Sequence, residues 1–313
     1  MGKRLVVIAA SLLVMSAAAG CARQAPGGER GPLVVATTTI VGDLVHNVAG
    51  NGARVVVLIP IGADPHEFQP SARQGALVRE ADLVVTSGLG LEEGLQSLIE
   101  AARDEGVEVL ELGPRLDPLP WEAEGIGDQP GEGPLEHQGL DPHWWLDPVR
   151  TATAARLIAA RLEALAAGGA WQRRADRYVA RLQALDRDVQ ALVAPVPQQR
   201  RKLVTLHRAF GYFAARYGFR VIGVVIAGGS TEALPSAQEI AGLAARIRDQ
   251  GVPAIFAETT LPTRLADSLA RAVGPDIRVV RLYTGSVGEP STQAGTYLGM
   301  IATDAQRIAA ALG

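Results

Sequence analysis

The 313-residue sequence holds one cysteine, five histidines and only 4% aromatic residues. A single cysteine excludes any disulfide within the chain, so apolar burial has to hold the fold. The formal net charge is −3, which argues against a nucleic-acid surface, and no cluster of Lys and Arg rescues that idea. The apolar run Leu5–Met15 is shorter than the ~20 residues that a spanning helix needs. What is present is a globular composition, 48% hydrophobic and 20% charged. At this length the chain can bury the cores of two domains.

The cysteine is informative through its position. The opening "MGKRLVVIAASLLVMSAAAGC" places Lys3 and Arg4 before the apolar run, then small residues up to Cys21. That order is a secretion signal over residues 1–21. Small residues directly before a Cys resemble a bacterial lipobox, although Ala18 stands where the lipobox usually has Leu. Cys21 is then expected to be the lipidated first residue of the mature chain; the plainer reading is a signal peptide with an incidental Cys. Residues 22–32, "ARQAPGGERGP", have the composition of a flexible tether. The body is therefore expected outside the cytoplasm, anchored to the membrane through Cys21 or periplasmic.

The body alternates short β-branched runs with segments of helical spacing. "PLVVATTT", "ARVVVLIP", "DLVVTSG" and "VEVLELG" read as strands, separated by helical "IVGDLVHNVAGN", "SARQGALVREA" and "LEEGLQSLIEAARDEG". Residues 113–141, rich in Gly, Pro and acids, break the pattern and are expected to form a mobile surface loop. Asp147-Pro148 then opens a helix, and "AWQRRADRYVARLQALDRDVQALVA" runs helical from about Ala170 to Ala194. After Pro195–Pro197 the alternation resumes, with strands "RKLVTLH", "RVIGVVI", "VPAIFAE" and "IRVVRLY" and a closing helix "TYLGMIATDAQRIAAAL". The predicted fold is α/β, with two similar lobes, each a mostly parallel sheet with flanking helices, joined by one long rigid helix. The expected boundaries are 33–168, 169–194 and 195–313.

In such sheets ligands bind beyond the carboxyl ends of strands. His66 follows the strand ending at Pro60, His207 ends "RKLVTLH", and His143 lies between the irregular loop and a helix start. The triplet Asp-Pro-His occurs twice, in "GADPHEFQP" and "GLDPHWWLDP". Taken singly, each His has a plainer reading as a local cap or a solvated side chain. Together, from both halves, they make a first-row metal site the leading reading. Glu258, ending "AIFAE", is placed as a possible fourth ligand or as an acceptor behind a ligand His, with Glu67 second. His46 is expected on the solvated side of its helix, and His137 within the loop. Trp144 and Trp145 read as packing of a loop wall.

These stretches bring the chain to a family. "GADPHEFQPSARQGALVREADLVVTSGLGLEEGL", "LDPHWWLDP", "RKLVTLHRAFGYFAARYGF", "IFAETTL" and "TYLGMIATDAQRI" resemble, in order, the metal-specific solute-binding lipoproteins of bacterial zinc and manganese ABC importers. The resemblance implies two lobes around a rigid helix, with His66, His143 and His207 in the places of the family's first three ligands. It also implies an ABC permease and its ATPase as partners, a lipid anchor in the membrane, and a monomer that is not an enzyme. The family's fourth ligand is commonly an Asp before the last helix; here Gly295 is read as the matching position. The His-rich loop of zinc-specific members is replaced by an acidic one containing only His137. Manganese-type members tend to carry a carboxylate at the third position, where this chain has His207. Zn2+ is thus the expected cargo, with Mn2+ as alternative, since imidazole suits zinc and manganese prefers oxygen. A secreted zinc hydrolase is the competing class, with Glu258 or Glu67 as its base. An adhesin-type surface protein is a third reading, for which no residue identifies a host ligand.

Overall fold

The structure, a computed structural model, describes residues 31–121, 139–226, 231 and 235–313. The signal region, Cys21, most of the tether and His137 lie outside the described residues.

The first half builds β1 (Leu33–Ala36), α1 (Thr39–Ala49), β2 (Arg54–Val57), α2 (Ala72–Arg79), β3 (Leu83–Thr86), α3 (Gln96–Asp104) and β4 (Val109–Glu111). Its four strands are all parallel, in the order β2-β1-β3-β4. α4 (Pro148–Leu165) and the long α5 (Trp171–Val193) follow. The second half builds β5 (Lys202–Thr205), α6 (Gly211–Tyr217), β6 (Arg220–Val224), α7 (Ala237–Asp249), β7 (Ala254–Glu258), α8 (Thr263–Val273) and β8 (Arg278–Leu282). These strands are parallel too, in the matching order β6-β5-β7-β8. The chain closes with α9 (Tyr297–Leu312). Two lobes thus share one topology without a visible sequence repeat. Strand order reverses between β1 and β3 and between β5 and β7, the places where α/β sheets hold ligands.

The strands are shorter than the apolar runs that announced them. Leu58 and Ile59 continue the run of β2 and are buried, yet β2 ends at Val57. Apolar runs report burial and not pairing. Helix starts follow their caps. Ser71 and Ser236 form capping boxes with Gln74 and Glu239. The Asp147 carboxylate accepts the Val149 N–H at 2.8 Å, with Pro148 in the first turn.

Residues 113–141 are more ordered at their ends than expected. Gly113–Arg115 form a 3₁₀ turn. Trp121 N–H donates to the Gly139 carbonyl at 2.7 Å, and Asp141 N–H to that of Leu119 at 2.8 Å. This clasp is held from the second lobe: Leu119 N–H donates to the Tyr212 hydroxyl at 3.0 Å, and that hydroxyl donates to the Asp141 carbonyl at 2.8 Å. Polar composition alone cannot reveal such partners. The middle of the segment, 122–138, lies outside the described residues.

The long helix packs on α1, α4 and α9. Its apolar side (Tyr178, Leu182, Val189) belongs to one continuous core with Val34 and Leu83 of the first sheet, Leu203 and Phe256 of the second, and Ile301 and Ile308 of α9. Interiors of this kind are close-packed and resist deformation. The lobes therefore present their facing loops at a fixed spacing.

Candidate metal centre

Three imidazoles meet between the lobes. His143 Nε2 lies 3.3 Å from His66 Nε2 and 3.2 Å from His207 Nε2. All three side chains are buried, at 7%, 1% and 6% exposure for His66, His143 and His207. Among the described residues they are the one group of His, Cys, Asp and Glu whose donor atoms converge closely enough to hold a metal.

The local sequence explains the approach. In each Asp-Pro-His triplet the Asp side chain accepts the backbone N–H two residues on: Asp64 Oδ1 from His66 at 3.0 Å, and Asp141 Oδ1 from His143 at 2.9 Å. This is the turn that Asp makes with its own backbone, stiffened by proline's fixed φ. After His143 the chain turns through a 3₁₀ segment, Trp144–Leu146. The Trp144 indole N–H donates to Ser87 Oγ of the first lobe at 3.0 Å, and that of Trp145 to the Thr284 carbonyl of the second at 2.8 Å. The tryptophans therefore pack the loop wall, as expected, and also tie the turn to both lobes. His207 lies two residues past the end of β5, not at its end. Thr205 Oγ1 donates to its carbonyl at 2.7 Å.

Carboxylates stand behind two of the rings. His143 Nδ1 lies 2.8 Å from Asp141 Oδ1, and His207 Nδ1 lies 2.8 Å from Glu258 Oε2. Glu258 Oε1 also accepts the backbone N–H groups of Leu206 at 3.2 Å and His207 at 3.4 Å. Wherever the carboxylate is ionised it only accepts, so the Nδ1 beside it carries the proton, and a neutral ring then turns its Nε2 lone pair inward. Two such lone pairs 3.2 Å apart repel unless a proton or a metal ion lies between them. Tetrahedral zinc with bonds of about 2.0–2.1 Å places its nitrogens about 3.3–3.4 Å apart, close to the observed spacing.

Electrostatics point the same way. Burial, then the neighbouring His207, pushes His143 well below the ordinary imidazole pKa, so it stays neutral. For His207 burial also acts downward, but Glu258, with Asp64 and Asp141, outweighs it and the net shift is upward. Burial raises the Asp141 carboxyl to about 8, opposed by the His143 N–H and by the charges of His207 and Arg208. A cation at the Nε2 atoms would act in that same opposing direction.

The other expected residues fall into place with corrections. Glu258 is the acceptor behind His207; both its oxygens face that residue's ring and backbone, which leaves the direct-ligand alternative without geometric support. Glu67 is exposed and accepts the Thr231 hydroxyl at 3.0 Å. It lines a cavity of about 400 Å³ beside the first triplet, with Asp64, Thr231 and Thr260. A cavity of about 510 Å³ lies over Glu92, Arg103 and Glu111 and touches no histidine. His46 is exposed on α1. Gly295 is displaced from its expected role: a Cβ there would meet the Glu289 carbonyl oxygen at 2.6 Å, so the position packs on its own loop. The glycine beside the first triplet is Gly285, where a Cβ would meet Pro65 Cδ at 2.7 Å. Asp141 was not among the expected site residues. Its signal was in plain view, as the Asp of the repeated triplet.

The model of the family described as zinc-uptake complex component A, periplasmic, matches residues 34–311. The manganese-binding lipoprotein MntA of Halalkalibacterium halodurans is 32% identical over 296 residues, covering 93% of this chain and 92% of its own. The zinc-binding protein TroA of Treponema pallidum is 32% identical over 292 residues, covering 90% and 89%. The solved structure of that periplasmic zinc-binding protein superposes with a TM-score of 0.80 at 30% identity, over 90% of this chain and 99% of its own.

Proposed function

The chain belongs to the zinc-uptake complex component A family, and from that premise we propose that it captures Zn2+ outside the cytoplasm and delivers it to an ABC permease. Members of the family are binding proteins, so the hydrolase reading falls away. The observation that carries the proposal is the convergence of three Nε2 atoms with a carboxylate behind two of the rings. That donor set is all nitrogen, which favours zinc over the oxygen-preferring manganese. Asp141 and Glu258 offset the ion's charge through the imidazoles, so the ligands themselves can remain neutral.

His66, His143 and His207 are the proposed ligands, with residues 33–168 and 195–313 as the two lobes and 169–194 as the helix between them. Cys21 is the proposed lipid attachment, the partners are a permease and its ATPase, and the protein works as a monomer. Mn2+ is the second reading, favoured by the manganese-binding name of one relative at 32% identity. The deciding experiment is metal analysis of protein purified without added metal, followed by competition between zinc and manganese. A stoichiometric zinc content with zinc preferred supports the assignment. Manganese outcompeting zinc at equal free concentration would replace it.

A further inference from the structure

α5 opens with an unusual charge pattern. Arg173 and Arg174 fall in its first turn, and Arg177 and Arg181 follow Arg173 at intervals of four residues. Cations in a first turn oppose the helix dipole, and like charges at i,i+4 repel. Arg173, Arg177 and Arg181 are exposed. Arg174 is fixed among them: its guanidinium stacks 4.8 Å from the Trp171 ring and its Nε donates to the Val48 carbonyl at 2.8 Å. The acid within this stretch is Asp176, which accepts from Gln172 at 3.3 Å. In a chain of net charge −3 this is a local reversal of sign, and helix stability does not account for it.

The chain enters the fold at the amino end of this helix. Gly31 lies against Gly52, where a Cβ would come within 2.5 Å of the Trp171 ring and 3.2 Å of Arg174 Nη2. Cys21 stands only ten residues earlier, a reach of at most about 35 Å. β1 and β2 are parallel, so their amino ends lie at the edge opposite the carboxyl end of β2, which His66 follows. Acids at the amino edge, Glu80 and Asp82, belong to the approach to β3, and Asp82 accepts the Leu33 N–H at 2.7 Å.

We propose that the arginine face of Arg173, Arg177 and Arg181 rests on anionic phospholipid headgroups, parking the tethered body with its metal site turned away from the bilayer. The proposal builds on the reading of Cys21 as the lipid attachment. A short tether keeps the face at high local concentration near the headgroups, so a few arginines suffice. The parked state offers the site to the medium; delivery then requires the body to leave the surface.

The test uses the full lipidated chain in vesicles of phosphatidylcholine, with or without phosphatidylglycerol, and a headgroup quencher. A dye is placed by Gln172→Cys, the lipidated Cys21 leaving no other thiol. Quenching is expected to be about threefold stronger in the anionic vesicles, and to be lost at about 1 M salt, where the Debye length is about 3 Å. R173E/R177E abolishes it and R173Q/R177Q weakens it, both with unchanged zinc affinity. Protein that is anchored yet equally quenched in both vesicles overturns the docking, as does quenching that survives charge reversal. Protein that sediments with neither vesicle overturns the lipid attachment, and the docking with it.

Discussion

Asp64-Pro65-His66 and Asp141-Pro142-His143 begin as the same object. In both, the Asp side chain caps the backbone N–H of the His, at 3.0 and 2.9 Å. They differ in what else the carboxylate does. Asp141 is 3% exposed, and the oxygen that caps the backbone also lies 2.8 Å from the His143 ring. Asp64 is only half-buried and gives its second oxygen to the Thr231 hydroxyl at 2.7 Å. One triplet aims an imidazole and sets its tautomer; the other positions a backbone and reaches across the cleft. Identical sequence fixes a turn, while the surroundings choose the chemistry.

Replacing a ligand tests whether both triplets serve one ion. His66→Ala, His143→Ala and His207→Ala are each expected to lower zinc affinity more than about 100-fold, beyond the cost of losing an outer-shell partner. Competition with a chromogenic chelator reads this directly. If His66→Ala bound zinc like the parent, the first triplet would stand outside the site and the comparison would collapse.

A sharper contrast comes from the two carboxylates. Asp141→Asn is expected to weaken zinc binding about 10–100-fold by losing the acceptor that fixes the His143 ring. Asp64→Asn keeps an oxygen for the backbone cap and should cost only about twofold to threefold. Equal losses in calorimetric titrations of the two variants would mean that the triplets are used alike.

pH separates them further. Burial holds the Asp141 proton up to about 8, whereas the bound ion requires the ionised carboxylate. Zinc capture at about pH 7 should therefore expel this proton, and affinity should climb with pH and level off above about 8. In the metal-free protein the sign is opposite. A carboxyl whose folded pKa exceeds its unfolded value of about 3.9 stabilises fully below the latter, and that contribution is lost as pH rises through about 8. Buried Glu92 and Asp304, also raised chiefly by desolvation, act in the same direction. The Tm increment on adding zinc should then be larger at about pH 8 than at about pH 5. Calorimetry in buffers of different ionisation enthalpy checks the proton release; none at about pH 7 would contradict this account.

The smallest effect is expected beside the first triplet. Gly285→Asp brings an oxygen donor near Pro65, at the cost of a close contact with that ring. Preference should move a few-fold toward manganese, which prefers oxygen. Gly295→Asp, packed on its own loop, should change stability and leave the preference alone. Both are read by competing the two metals, and the reverse ranking would restore Gly295 as the place of the missing donor.

Much of this protein was legible as one-dimensional pattern. Buried parallel strands such as Val34–Ala36 and Leu83–Thr86 have to be apolar on both faces, and helix starts such as Asp147-Pro148 and Ser71 have to satisfy bare N–H groups within a few residues. Period and caps are local, so the α/β class, the long helix and the three histidines could be read directly. The strand ends were read too long because an apolar run measures burial, and burial continues past the last paired residue, as at Leu58 and Ile59.

What the sequence could not contain was who faces whom across the cleft. Asp141 and Asp64 have the same neighbours in the chain, and only folding buries one against an imidazole and opens the other to Thr231. The stretch before the last helix holds three glycines, Gly285, Gly288 and Gly295. Gly285 was separated from Gly295 by the direction of its missing Cβ, toward Pro65 and not toward Glu289. Local turns follow from torsions and side-chain reach within a few residues. The ionisation of a carboxylate and the facing of a glycine depend on atoms dozens to hundreds of residues away, and packing alone brings those atoms near.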